Sequence, residues 1–219
     1  MQQLMKILIE AEPGFELVGI AGSAEQGWGM FCKATPDIVT LDLELPGRPG
    51  MDLLKRIMKE KPTPVIIVSA NGGEGTKETI NALGSGAVAF LDKPDNVTIT
   101  LEAFREQLGK VMRKAAASAK GVARATAHLG APIAPAKPQG AIDRDRIIAV
   151  GASTGGVPAV QTVLLGLAHV QVPIVITQHM PPVYTRRFAE RLAHVTGMNV
   201  TEAKDGDLIQ PGRVFIAPG

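Results

Sequence analysis

Short apolar runs recur along the first half of the chain, and amphipathic stretches separate them. The runs, each four to eight residues long and rich in Val, Ile and Leu, are typical of buried strands; they cover residues 16–21, 37–43, 64–69 and 87–91. Between them, helical patterns cover residues 24–34, 51–60 and 76–83. This alternation predicts a parallel sheet with helices on both faces.

The same alternation resumes near residue 147. Strands are predicted at residues 147–150, 173–178 and 214–217, and helices at 158–165 and 186–195. The sequence starts inside a predicted first helix and stops directly after a predicted strand. We therefore expect two α/β domains, the first incomplete at its amino end and the second at its carboxyl end.

Composition changes sharply once, between residues 113 and 140, where the chain is rich in alanine and has no acidic residue. Pro132, Pro135 and Pro138 prevent a helix from continuing through this stretch. We predict a domain at residues 1–112, a linker with a helical start at 113–144, and a domain at 145–219. The linker composition fits a tether, and it also fits a segment that docks a partner.

Overall composition excludes several classes of protein. The net charge of +2 is too balanced for a general nucleic-acid or membrane-surface binder, and 4 % aromatic residues argue against a base-stacking surface. A single cysteine, Cys32, fits a reducing compartment. No apolar run approaches the roughly 20 residues that span a bilayer, so we expect a cytoplasmic protein without membrane insertion.

Three polar residues fall at the carboxyl ends of predicted strands in the first domain, where open parallel sheets bind ligands. They are Asp42, Ser69 and Lys93. A carboxylate can accept a phosphoryl group, while a hydroxyl and an ammonium group bind the new phosphate oxygens. Each residue alone is unremarkable at a strand end, but the three together indicate a phosphoacceptor site.

The surrounding residues resemble the receiver domain of two-component response regulators, in the stretches PDIVTLDLELPGRPGMDLL, VIIVSA and AFLDKP. The resemblance implies a flavodoxin-like fold, with Asp42 as the phosphoacceptor. A histidine kinase would supply the phosphoryl group. It also implies Ser69 and Phe90 as switch residues and Lys93 as the phosphate-pairing lysine. Asp42 and the backbone carbonyl of Glu44 would bind Mg²⁺. The first strand of such domains, with its acidic Mg²⁺-binding pair, has no counterpart in this sequence.

In the second domain, the stretch IIAVGASTGGVPAV predicts a strand, a glycine turn and a helix. Gly151, Ser153 and Gly155 satisfy G-x-S-x-G, a pattern that presents a serine nucleophile at a sharp turn. A merely structural turn also fits so short a motif. A dinucleotide-binding turn does not, because Ser153 stands at the second glycine position and no acidic residue ends the next strand.

His179 follows the next predicted strand, on the edge from which Ser153 emerges. A serine hydroxyl needs a base to take its proton, and imidazole titrates in the right range. A histidine after a strand is often structural, but beside this serine it is a candidate base. The other histidines are placed elsewhere: His128 in the linker, and His169 and His194 at the surface near helix ends.

This domain resembles the catalytic domain of the chemotaxis protein-glutamate methylesterases of the CheB type, in IIAVGASTGG, VITQHMPPVYTRRFAERL and EAKDGDLIQPGRVFIAPG. The resemblance implies Ser153 as nucleophile, His179 as general base and Thr154 as an active-site neighbour. The aspartate that completes the family's triad has no match here. Asp205 and Asp207 precede the last predicted strand and do not correspond to it.

Together, the two resemblances imply a phosphorylation-regulated serine esterase without a metal at its esterase site. Its substrates would be the methylated glutamates of chemoreceptors, with glutamine deamidation as a further reaction in some members. Lacking the triad aspartate and the first receiver strand, the 219-residue chain is expected to fold poorly and be nearly inactive. A receiver-based signalling or binding module with an inert hydrolase half remains the alternative. A transcriptional output is disfavoured, because no basic recognition helix follows residue 145.

Overall fold

The structure is a computed structural model that describes residues 1–69, 73–94, 100–126 and 146–219. The chain divides into two compact units, Met1–Thr126 and Ala127–Gly219. Within the described residues, no helix combines the length and apolarity that crossing a bilayer requires.

The first unit contains a parallel sheet of three strands in the order β1-β2-β3. The strands are β1 (Val39–Asp42), β2 (Val65–Ser69) and β3 (Ala89–Asp92). The helices are α1 (Gln2–Glu10), α2 (Ala24–Ala34), α3 (Gly50–Glu60), α4 (Gly73–Gly84) and α5 (Leu101–Thr126). Every residue of β2 is buried, as a central strand covered on both faces requires. The predicted parallel α/β architecture is therefore confirmed.

Residues 16–21 do not form the strand that their apolar pattern predicts, and they belong to neither sheet. Val18 and Ile20 are 50 % and 41 % exposed. A groove of about 830 Å³ is lined both by this segment and by β1. A strand exists only where its amides and carbonyls pair with a neighbour, and none of the described strands pairs with this segment. The apolar pattern of residues 16–21 was thus not enough by itself to form a strand.

Helix α5 passes through the boundary predicted at residue 112 and continues to Thr126. Met112 and Ala115 are buried, and the helix packs against β2 and β3. The helical start expected for the linker is therefore present, whereas the part of α5 before residue 113 was not predicted. The rest of the predicted linker lies outside the described residues.

The second unit contains four parallel strands in the order β4-β5-β7-β6. They are β4 (Ile148–Ala152), β5 (Ile174–Gln178), β6 (Asn199–Glu202) and β7 (Arg213–Ile216). The helices α6 (Gly156–Leu167) and α7 (Pro182–Thr196) pack against each other and against the sheet. Leu164, Phe188 and Ile174 are fully buried between these layers. Strand β6 was not predicted, because only one of its four residues is buried and no apolar run marks it.

Candidate functional site

The carboxyl edge of the first sheet brings together the three polar residues predicted to lie there. Asp42 and Ser69 are the last residues of β1 and β2, and Lys93 directly follows β3. The Lys93 ammonium nitrogen lies 2.8 Å from Oδ2 of Asp42. The backbone N–H of Lys93 donates to the carbonyl oxygen of Ser69 over 2.7 Å, so the ends of β2 and β3 are joined beside the ion pair.

Lys93 is shared between two carboxylates. Its ammonium nitrogen also lies 3.2 Å from Oε2 of Glu44, and the backbone N–H of Glu44 donates to Oδ1 of Asp42 over 3.0 Å. Partial burial by itself would lower the pKa of Lys93. Hydrogen bonding and charge attraction, first from Asp42 and then from Glu44, outweigh that effect and raise the pKa of Lys93 above its ordinary value. Lys93 is therefore a firmly charged cation beside Asp42.

Gly50 lets helix α3 begin directly against the strand end that carries Asp42. A Cβ at this position would collide with the backbone carbonyl oxygen of Asp42 and would lie 2.9 Å from the Cα of Leu43. The Gly50 N–H instead donates to the Leu43 carbonyl oxygen over 3.1 Å. Only a residue without a side chain permits this approach, so Gly50 helps to hold the backbone at Asp42.

The structure also locates the remaining predicted receiver residues. Ser69 is buried, with 6 % exposure, and Phe90 lies half-buried on β3. Asp42 and the backbone of Glu44 offer oxygen atoms of the kind that Mg²⁺ prefers. Within the described ranges, however, no group of three or more His, Cys, Asp or Glu residues could hold a metal ion. These residues alone therefore do not make a complete magnesium site.

In the second unit, Ser153 and His179 stand at equivalent positions on neighbouring strands. Strands β4 and β5 are in register up to the pair Ala152 and Gln178, and Ser153 and His179 are the next residues along. The backbone N–H of His179 donates to the carbonyl oxygen of Ala152 over 2.9 Å. Neighbouring strands lie about 4.8 Å apart, and both residues are exposed. The tertiary structure therefore places a serine and a histidine side by side at one sheet edge.

A tight turn presents Ser153 between β4 and α6. Gly155 has a φ of 74°, a left-handed conformation that favours glycine. The N–H of Gly156 closes the turn by donating to the Ser153 carbonyl oxygen over 2.7 Å. Thr154 is exposed beside Ser153. Such a strand–turn–helix is the structural context that G-x-S-x-G requires.

No hydrogen bond joins the Ser153 hydroxyl to the His179 ring in the described part of the chain. In free enzymes, hydrogen bonds between catalytic groups are often long and tighten only when substrate binds. Asp205 and Asp207 lie in the exposed loop before β7, where Asp207 accepts a hydrogen bond from the backbone N–H of Lys204 over 2.9 Å. This contact closes the loop at Asp207.

Two of the other three histidines lie in the part of the chain that the structure describes, and neither is at a strand end. His169 and His194 are exposed, as predicted for surface residues, and His128 lies outside the described residues. His179 is thus the histidine that the sheet itself brings to the serine.

Two contacts at these sites were not predicted from the sequence. Gln178 is buried, with 6 % exposure, and its side chain contacts the backbones of Ser153 and His179. The signal was a polar residue in the buried alternation of β5, after Ile174 and Ile176. The ion pair between Glu44 and Lys93 was also not predicted, because the two residues are 49 positions apart along the chain.

Comparison with known families matches both halves of the chain. Residues 1–105 match the response regulator receiver domain, and residues 148–219 match the CheB methylesterase. Among curated relatives, protein-glutamate methylesterase/protein-glutamine glutaminase 2 of Pseudomonas aeruginosa is 41 % identical over 222 residues, which is 100 % of this chain and 62 % of the relative. The corresponding protein 1 of Caulobacter vibrioides is 40 % identical, with the same coverage of 100 % and 62 %. The chain thus spans about three fifths of these relatives' length.

Two solved structures from Thermotoga maritima are also similar. The response regulator domain of its CheB is 35 % identical, covering 53 % of this chain and 88 % of that one with a TM-score of 0.48. The catalytic domain of its CheB methylesterase is 42 % identical, covering 33 % and 39 % with a TM-score of 0.32.

The two domain matches define a response regulator whose receiver is followed by a methylesterase-type output domain. The chain belongs to the CheB methylesterase family.

Proposed function

We propose that this chain carries the receiver, the nucleophile and the base of a phosphorylation-regulated protein-glutamate methylesterase, with protein-glutamine glutaminase activity as its second reaction. The observation that carries the proposal is the placement of Ser153 and His179 at adjacent strand ends, with Ser153 on a tight turn. The names of the curated relatives supply the substrate class. The proposed substrates are the γ-methyl esters of glutamate in chemoreceptors, and the proposed location is the cytoplasm, where a receiver meets its kinase.

In the proposed reaction, Ser153 Oγ attacks the ester carbonyl carbon while His179 takes the hydroxyl proton. The bond to the methoxy oxygen then breaks, and His179 returns the proton so that methanol leaves. Water attacks the glutamyl ester on Ser153, giving a glutamate carboxylate and restoring the hydroxyl. With glutamine as substrate, ammonia leaves in place of methanol. Thr154 would line the space beside the nucleophile, and no metal is required for these steps.

The first unit would regulate this chemistry. Asp42 would accept a phosphoryl group from the phosphohistidine of a chemotaxis kinase, so that a P–N bond breaks and a P–O bond forms. Lys93 is held 2.8 Å from Asp42 and would pair with the added phosphate charge. Ser69 would bind a phosphate oxygen, and Phe90 would respond to its movement. Receiver phosphorylation in general depends on Mg²⁺, for which Asp42 and the Glu44 carbonyl would be the ligands in this chain.

A fluorophosphonate probe tests the central claim, because it labels a serine only when the hydroxyl is activated. Ser153 is the one serine in the sequence from residue 146 to 219, so a labelled peptide from that region identifies it. We expect labelling of the wild-type chain, none of Ser153→Ala and nearly wild-type labelling of the control Val163→Ala, since Val163 is 43 % exposed on α6. Methanol release from methylated receptor fragments then tests the substrate. A wild-type chain that remains unlabelled would support the alternative of a signalling module with an inert hydrolase half.

A further inference from the structure

Gln178, the last residue of β5, connects the backbones of the proposed nucleophile and base. Its side chain is 6 % exposed, although glutamine is a residue type mostly found at protein surfaces. The side-chain nitrogen Nε2 donates to the carbonyl oxygen of Ser153 over 2.9 Å. The same nitrogen lies 3.4 Å from the carbonyl oxygen of His179. A single amide group therefore bridges the two strand ends at the site.

The chemistry of these contacts determines how the amide is oriented. A primary amide nitrogen carries two N–H donors, and both neighbouring backbone atoms are carbonyl oxygens, which only accept. The reversed orientation would bring three oxygen atoms together. Oε1 of Gln178 is buried and has no hydrogen-bond partner in the described part of the chain. Since an unpaired buried acceptor is unfavourable, packing alone does not explain a glutamine at this position.

Gly156 provides the space that this amide occupies. A Cβ at Gly156 would collide with Oε1 of Gln178 and would lie 2.8 Å from the Cβ of Ala152. The N–H of Gly156 also donates to the Ser153 carbonyl oxygen over 2.7 Å. The Ser153 carbonyl thus accepts one hydrogen bond from helix α6 and one from the side chain at the end of β5.

We propose that Gln178 is a positioning residue that holds the Ser153 turn against the end of β5 that carries His179. The proposal rests on the proposed function. Gln178 contacts the two residues through their backbones and is not itself in the reacting set. For proton transfer, the hydroxyl and the imidazole must come within about 2.6–3.2 Å, and a misplacement of about 1 Å can lower a rate about 100-fold. By joining both backbones, Gln178 limits changes in the distance between the Ser153 hydroxyl and the His179 imidazole.

The first test uses Gln178→Met in the full chain, because methionine is of similar length and has no N–H donor. Ile176→Val is the matched control, since Ile176 is 2 % exposed and lies two residues earlier on the same face of β5. We expect fluorophosphonate labelling of Ser153 to slow by about 10–100-fold in Gln178→Met, at every pH between about 6 and 9. The control should stay within about twofold of wild type. Equal slowing in both variants would overturn the proposal, because it would reflect general loss of stability.

Gly156→Ala provides a second variant that displaces the same amide from the opposite side. We expect it to slow labelling in the same direction as Gln178→Met. Because both changes act on one contact, the double variant should lose less than the product of the two separate effects. Independent, multiplying effects would contradict a shared mechanism.

Backbone amide exchange tests the positioning role without relying on activity. We expect the Gly156 and His179 amides to exchange at least about tenfold faster in Gln178→Met than in Ile176→Val. Unchanged exchange would overturn the proposal even if labelling slowed. A wild-type chain that the probe fails to label would instead contradict the proposed serine chemistry, and amide exchange would still decide whether Gln178 holds the turn.

Discussion

Replacing Lys93 with methionine removes one partner of the ion pair with Asp42 while keeping most of the side chain's length. At 2.8 Å and an effective dielectric constant of about 20, the attraction is about 6 kcal/mol. Desolvation of both groups and the ordering of the lysine side chain offset most of that value. The side chains of Lys93 and Asp42 are 19 % and 25 % exposed. Their ion pair is therefore intermediate between surface pairs, which contribute about 0–1 kcal/mol, and buried pairs, whose disruption costs about 3–5 kcal/mol. We expect Lys93→Met to lower the free energy of unfolding by about 1–2 kcal/mol.

The pH dependence of this loss has a definite sign. A cation whose pKa is raised in the folded state stabilises that state fully below the pKa of the unfolded chain. The contribution disappears as the pH rises through the folded-state pKa. Since the pKa of Lys93 is raised, the wild type should exceed Lys93→Met in stability at neutral pH. The difference should begin to shrink only above about pH 10.5, the ordinary lysine value, and it should be lost completely only at a higher pH still.

Denaturant unfolding at pH 7 to 11, alongside phosphorylation by a small acyl phosphate, measures both effects. Without Lys93 to bind the transferred group, phosphorylation of Asp42 should slow by about 100-fold, by analogy with the loss of one transition-state donor. Lys55→Met is the matched control, because Lys55 is exposed and forms no ion pair among the described residues. A Lys93→Met chain that accepts phosphate at the wild-type rate would refute the reasoning. So would a stability loss no larger than that of the control.

Three further substitutions test other parts of the account. Asp42→Asn should abolish phosphorylation, and a phosphodonor should no longer change Ser153 labelling; a variant that still responds would show that another residue accepts the phosphate. His179→Ala should slow methyl-ester hydrolysis about as much as Ser153→Ala, and the two losses should not add; additive losses in the double variant would mean that the two residues act separately. Gly50→Ala should destabilise the first unit by about 1–3 kcal/mol in thermal unfolding, because its Cβ meets the Asp42 carbonyl. Gly29→Ala has open space around its Cβ and should be neutral or stabilising, so equal losses at both glycines would contradict the steric argument.

Local patterns in the sequence were enough to predict the two parallel sheets and the residues at their carboxyl edges. Asp42 directly follows a buried apolar run. Such a run is enough to predict where a parallel strand ends, and therefore which residue lies at its carboxyl end. Because all strands of a parallel sheet end at one edge, Lys93 could be predicted to lie near Asp42. The same reasoning predicted that Ser153 and His179 would be neighbours, since each follows a strand and the two strands are joined by one helix.

Other features depend on contacts between segments that are distant along the chain, and only the tertiary structure decided them. Residues 16–21 have a strand-like pattern but do not pair with any described strand, whereas β6 has almost no apolar pattern and becomes a strand by pairing with β7. Gln178 is 25 positions from Ser153, and nothing in the residues around it indicates that its amide would reach that carbonyl. Backbone pairing and side-chain reach are set by which surfaces meet in three dimensions, whereas apolar periodicity records only which face of an element is buried.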